Sequence, residues 1–270
     1  QSADMDLIMK IAKKHKLKVI SDTAQAPGAL YGDKYAGTCA DVGGFSLNYH
    51  KHIHTGEGGI LVTNDDDIAE RLQLIRNHAE VVVEDKGVTN LTNMVGHNFR
   101  LGEIECAMGI EQLKKLQGLV QSRQLLAETL TEGLKSLDGL KTPTQFNNRT
   151  HVYYIYAMQL DLEVLQVSRQ KIVEALAAEG VIVSSSYQNI HLIPMYQQKI
   201  AFGSKGFPWS SEFCKREISY EKGICPNAEY LNDNSYIGFG MCVFDISLKD
   251  VELIVSAFHK VWNNLDQLSR

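Results

Sequence analysis

From Asp4 to Lys14 the apolar residues Met5, Ile8, Met9 and Ile11 stand among polar ones at helical spacing, which predicts an amphipathic helix. It feeds an apolar run, Leu17 to Ser21, that predicts a strand ending at Asp22; further strands are predicted at Val42 to Leu47 and Ile60 to Thr63. Asp65 to Asn77 opens on acidic residues suited to a helix N-terminus and carries Ile68, Leu72 and Ile75 at helical spacing. Val81 to Asn93 is polar and irregular, a predicted loop. Leu101 to Leu134 predicts one long helical stretch with Ile104, Met108, Leu113, Leu116 and Leu125 on apolar positions and a break at Gly118.

Beyond it the pattern changes. Val152 to Leu160 is rich in aromatic and branched residues and predicts a strand. Ser168 then caps a helix through Ala178 that Gly180 closes, and Val181 to Ser184 predicts another short strand. Ile190 to Pro208 holds few regular signals, and Leu248 to Leu268 predicts a closing helix. The expected class is α/β: a mixed, mostly parallel sheet with helices over residues 1–134, and a smaller α+β C-terminal domain over residues 135–270.

Composition narrows the function. A chain of 270 residues can hold one large or two modest domains, and 44% hydrophobic with 22% charged residues is ordinary for a soluble globular protein. The net charge of -5 and the lack of a basic run argue against a nucleic-acid partner. Five cysteines, Cys39, Cys106, Cys214, Cys225 and Cys242, show no C-x-x-C spacing, the usage of a reducing cytoplasm. No apolar run approaches the roughly 20 residues of a membrane span, and no signal peptide is visible at the start.

The chemistry concentrates in FSLNYHKHIHTGEGGILVTN, Phe45 to Asn64, where Lys51 stands between an apolar strand and a glycine-rich turn. A lysine held there can form a Schiff base. Pyridoxal phosphate needs such an amine, and it needs a buried anion that keeps its ring nitrogen protonated. Asp22, at the carboxyl end of a strand where α/β sheets put functional groups, can supply the anion. Asp22 could equally be a cap or turn residue, and Lys51 a solvated loop lysine. His50, His52 and His54 offer a rival, since alternate side chains on an extended segment share one face and three imidazoles could ligate zinc.

The segments VISDTAQAPGALYG, FSLNYHKHIHTGEGGILVTND and GHNFRLGEIECAMGIEQLKKL resemble, in order and spacing, the DegT/StrS sugar aminotransferases, a branch of the fold-type I pyridoxal-phosphate enzymes. The resemblance implies that Asp22 pairs with the pyridinium nitrogen, Gln25 lies near the phenolic oxygen, Ser46 binds the phosphate and Lys51 carries the cofactor. It further implies that Asn98 reaches the partner subunit's phosphate in a homodimer, and that His191 lies near the substrate. Arg100 is a candidate for a substrate phosphate, against its reading as a structural ion-pair partner. Some relatives that remove a hydroxyl carry His at the lysine position; the lysine here favours transamination over dehydration. The implied reaction passes an amino group, from glutamate, to a keto group of a nucleotide-linked deoxysugar. The family's opening segment, with its phosphate loop and ring-stacking aromatic, has no counterpart here, so a preceding segment is expected and the chain holds part of a site. An inactive fragment and a non-catalytic nucleotide-sugar binder are the alternatives.

Overall fold

The computed structural model describes residues 1–80 and 91–268; most of the loop predicted from Val81 onward lies outside the described residues. The chain packs as two units. The first comprises residues 1–128, 144–154 and 241–245, the second residues 129–143, 155–240 and 246–270. The units therefore interleave in sequence, whereas the hydrophobic pattern suggests one division after Leu134.

In the first unit, α1 (Met5–His15) starts where Asp4 accepts the amide of Leu7 and ends at Lys16 in the left-handed region. Its apolar positions divide: Met5 is buried, whereas Ile8 and Ile11 are exposed. Strand β1 (Ile20–Asp22) pairs in parallel with β4 (Val42–Ser46), and β4 pairs antiparallel with β5 (Gly59–Val62). The sheet is mixed, as expected, with one pairing of each kind. Between β1 and β4 a hairpin of β2 (Leu30–Tyr31) and β3 (Lys34–Tyr35), not foreseen from the pattern, turns at Gly32 and Asp33. Strands of two residues give no period to detect. Helix α2 (Asp66–Arg76) is capped by Asp65, whose side chain accepts the amide of Ile68.

Helix α3 (Glu103–Leu134) is continuous, so no break occurs at Gly118. A single glycine costs about 1 kcal/mol in a helix interior, which the hydrogen bonds of a 32-residue helix absorb. Its apolar residues are not all core: Ile104, Met108, Leu113 and Leu125 are exposed, and the buried positions are Val120, Leu126, Ala127, Leu130 and Leu134. Val120 joins Ala29, Ala36 and Val152 in the core of the first unit.

The second unit is built on an antiparallel sheet in the order β6 (Leu140–Lys141), β7 (Ile155–Leu160), β8 (Tyr236–Gly240). Tyr156, Met158 and Leu160 alternate into its core beside Ile237. Strand β7 begins three residues later than the pattern predicts, because Tyr153 adopts φ 48° and interrupts extended chain. Val181–Ser184 forms only an isolated bridge, Ser184 with Gly238, and not a strand. Helices α4 (Leu162–Leu165) and α5 (Arg169–Ala178) come after β7, the latter capped by Ser168. Short helices α6 (Pro194–Gln197) and α7 (Pro226–Tyr230) punctuate the irregular stretch. Helix α8 (Leu248–Trp262) opens on a reciprocal Ser247 and Asp250 capping box and packs on α5; α9 (Leu265–Leu268) ends the fold.

Candidate active site

Strand β4 is central in its sheet and runs directly into a pinned loop. The Leu47 amide donates to the Gly58 carbonyl at 2.9 Å, and the Thr55 amide donates to the Leu47 carbonyl at 3.0 Å. Inside that closure the Lys51 amide donates to the Asn48 carbonyl at 3.0 Å, a tight turn, while Asn48 Nδ2 donates to the Glu57 carboxylate at 2.8 Å. Gly56 and Gly58 take φ of 87° and 148°, which a β-carbon would resist.

The sheet register puts two candidates side by side. Asp22 pairs with Gly44, and Ser46 lies two residues farther along β4, so Asp22 and Ser46 project from the same face. The Ser46 hydroxyl accepts the Asn48 amide at 3.2 Å. Asp22 accepts the Ala24 amide at 3.1 Å, the local turn bond that the bland reading foresees. The buried anion expected at this position is not seen: Asp22 is exposed, as is Ile20 on the same face, because β1 is an edge strand among the described residues. Gln25 is exposed in the turn beyond.

Lys51, by contrast, is buried, with 9% of its surface exposed. Its Nζ stands 4.4 Å from the centre of the Tyr154 ring. Burial holds the amine below the ordinary lysine range, against the opposing pull of Asp22 and Cys242. Burial likewise pushes the Cys242 thiol up. Next to Lys51, His52 is buried and its Nε2 donates to the Val152 carbonyl at 2.6 Å; burial lowers its pKa to about 4. Tyr154 and Cys242 were not singled out as site residues by the sequence, and His52 only as a candidate zinc ligand; Tyr154 lay hidden in an apparent strand.

The three histidines do not share a face. The chain turns at Lys51 instead of running extended, His52 faces Val152, His54 is exposed, and His50 packs edge-on against Tyr49 at 5.0 Å. Among the described residues no group of three or more His, Cys, Asp or Glu side chains could hold a metal ion. The zinc reading thus loses its geometric premise.

Asn98 is exposed and pairs through its backbone with Asn77. Arg100 donates to Asn77 Oδ1 at 2.8 Å, a hydrogen bond to a neutral side chain and not the ion pair weighed against substrate binding. In the second unit His191 lines an open cavity of about 390 Å³ with Asn189, Tyr196 and Tyr220, and its Nε2 meets Glu229 Oε1 at 2.8 Å. No helix among the described residues is long and apolar enough to cross a membrane.

The donor set of the first unit suits pyridoxal phosphate. An aldehyde needs an amine that loses its proton readily, which burial arranges at Lys51. The carboxylate and hydroxyl suited to a pyridinium and a phosphate lie on one sheet face, the carboxylate exposed in this structure.

Comparison with known proteins agrees. GDP-perosamine synthase of Caulobacter vibrioides is 32% identical over 197 residues, covering 73% of this chain and 52% of the relative. UDP-4-amino-4,6-dideoxy-N-acetyl-β-L-altrosamine transaminase of Helicobacter pylori is 31% identical over 222 residues, covering 81% of this chain and 57% of the relative. The solved structure of Helicobacter pylori PseC, an aminotransferase of pseudoaminic acid biosynthesis, superposes with a TM-score of 0.76 at 25% identity, over 97% of this chain and 64% of that one. The chain thus spans between half and two thirds of the length of each. The fold is that of the fold-type I pyridoxal-phosphate aminotransferases. The pattern of one family extends over residues 1–223, and the chain belongs to it: the DegT/DnrJ/EryC1/StrS aminotransferase family.

Proposed function

We propose that this chain carries the lysine-bearing part of a pyridoxal-phosphate aminotransferase that passes an amino group, from glutamate, to a keto group of a nucleotide-linked deoxysugar. The observation that carries the reading is the buried Lys51 amine, held below its ordinary pKa in the same unit as Asp22 and Ser46. Bound pyridoxal phosphate supplies the electron sink that makes a carbon-bound proton acidic. Lys51 Nζ takes that proton and returns it, a task for an amine that titrates below solvent-exposed lysine. The Asp22 carboxylate keeps the ring nitrogen charged, the Ser46 hydroxyl donates to the phosphate, and Gln25 faces the phenolic oxygen.

Asn98 serves the phosphate of a partner subunit, and His191 binds the substrate. A homodimer is supported by the exposed apolar residues Ile104, Met108, Ile110 and Leu113 of α3, which water disfavours. A cytoplasmic setting is supported by five free cysteines. Names among the relatives, GDP-perosamine synthase and spore coat polysaccharide biosynthesis protein SpsC, support an amino-sugar product destined for polysaccharide.

The test is the visible spectrum after incubation with pyridoxal phosphate and exhaustive dialysis, with Lys51→Ala as control. A retained band in the parent, lost in the variant, is expected. A band that survives in Lys51→Ala would overturn the assignment.

A further inference from the structure

Two contacts from one short segment decide the surroundings of the Lys51 amine. Val152 offers its carbonyl to His52, and Tyr154, two residues on, lays its ring 4.4 Å from Lys51 Nζ. We propose that Tyr154 is a positioning residue for Lys51, its ring a lid over the amine, and that the hydrogen bond from His52 to Val152 is the latch that sets the lid. The proposal rests on the reading of Lys51 as the cofactor-binding lysine and deepens it.

The latch is costly enough to need a purpose. His52 is 3% exposed, and its Nδ1 is buried with no hydrogen-bond partner among the described residues. An unsatisfied buried polar atom destabilises the fold. The imidazole keeps one good bond, to Val152, and that bond ties the residue after Lys51 to the segment that carries Tyr154.

The segment is itself anchored within the first unit. Gln124 Nε2 donates to the His151 carbonyl at 3.0 Å, the Met241 amide donates to the Tyr154 carbonyl at 3.2 Å, and Val152 is fully buried. Tyr153 takes φ 48°, a conformation most side chains avoid, at the turn that re-aims the chain before Tyr154. His50 flanks the Tyr154 ring with centroids 5.8 Å apart, and His52 at 6.5 Å. An aromatic face within about 6 Å attracts an ammonium, yet it also keeps water from the nitrogen. Burial is the leading cause that holds the amine below its ordinary range, and a ring 4.4 Å away is part of what buries it. Asp22 from β1 and Cys242 from residues 241–245 are the other titratable groups that act on it.

The experiment measures the pH dependence of Lys51 trinitrophenylation, read by peptide mass spectrometry on the cofactor-free chain. The parent should show a midpoint below that of ordinary lysine, Tyr154→Phe should keep it, and Tyr154→Ala should move it up toward the ordinary range. A folded Tyr154→Ala with the parent's midpoint, or a Tyr154→Phe that shifts as far as the alanine variant, would overturn the proposal. A measurement on the parent alone guards against misfolded variants: a ring-current upfield shift of the Lys51 ε-protons is expected, and its absence removes the lid. Loss of the visible cofactor band with the midpoint shift intact would refute the cofactor reading alone; a band without the shift would refute the lid alone.

Discussion

Glu229 holds His191 by a 2.8 Å bond to its Nε2, and the same carboxylate accepts the amides of Gly223 and Cys225 at 2.8 and 3.2 Å. One buried acid thus fixes three partners in the second unit, including the histidine proposed to bind substrate. Burial pushes its pKa up, but the bonds from Gly223, Cys225 and His191 outweigh burial and hold it below the usual glutamate value.

A depressed carboxylate stabilises the fold above its unfolded pKa and loses that contribution as pH falls through the lower folded value. Urea unfolding should therefore show a midpoint that falls below the usual glutamate range. Glu229→Gln should lower the midpoint at neutral pH and flatten its acid dependence. Equal acid slopes in parent and variant would refute this account.

His52 lies in the other unit. Burial lowers its pKa from 6.5 to about 4, so the unfolded chain takes up the proton first as pH falls. Stability is full above 6.5 and declines as pH falls toward about 4. The loss amounts to about 3 kcal/mol, from about 1.4 kcal/mol per pKa unit. His151, lowered to about 4 by burial as well, steepens the slope. Replacing His52 with Asn should flatten the curve of urea midpoint against pH over this window.

Close packing beneath the site yields a sharper mutational test. A β-carbon on Gly43 would lie 2.0 Å from the Gly37 carbonyl oxygen, and one on Gly37 would lie 2.3 Å from the Phe45 ring. Backbone cannot swing aside as a flexible side chain can. Gly43→Ala should cost at least the roughly 1–3 kcal/mol typical of overpacking, read as a fall in the urea midpoint. Gly118→Ala, with nothing within 4 Å of its added carbon, should stabilise the chain by up to about 1 kcal/mol.

For catalysis, Lys51→Ala in an active holoenzyme should lose roughly 10²–10⁴-fold in turnover, the range for a positioned proton-transfer group. Asp22→Ala should retain cofactor but lose at least about tenfold, the equivalent of 1.36 kcal/mol of barrier. Steady-state rates beside the visible spectrum separate the two effects. A parent-like rate in Asp22→Ala would remove that residue from the site.

Much of the fold was legible in one dimension because it depends on neighbours in sequence. The cap at Ser168 and the acidic start at Asp65 act within one turn of helix. The order of strand, Asp22, strand, Ser46, Lys51 and glycine turn likewise needs only local chain. Where the pattern misled, a distant partner intervened or local geometry was hidden. Val152 to Tyr154 has the composition of a strand, yet Tyr153 turns the chain and the segment binds the lysine loop. Tyr236–Gly240 makes a central pairing with β7 that no period announced, with two glycines in five residues.

The sequence by itself determined the helices α1 and α2, the strands β1, β4 and β5, and the family. Tertiary structure decided that Asp22 stays exposed while Lys51 is buried, that His52 faces Val152 rather than a metal, and that the Tyr154 ring lies 4.4 Å from the amine. The physical reason is the range of the forces. Capping and periodicity act over three or four residues, whereas burial is set by what the rest of the chain brings near: Val152 lies 100 positions from His52.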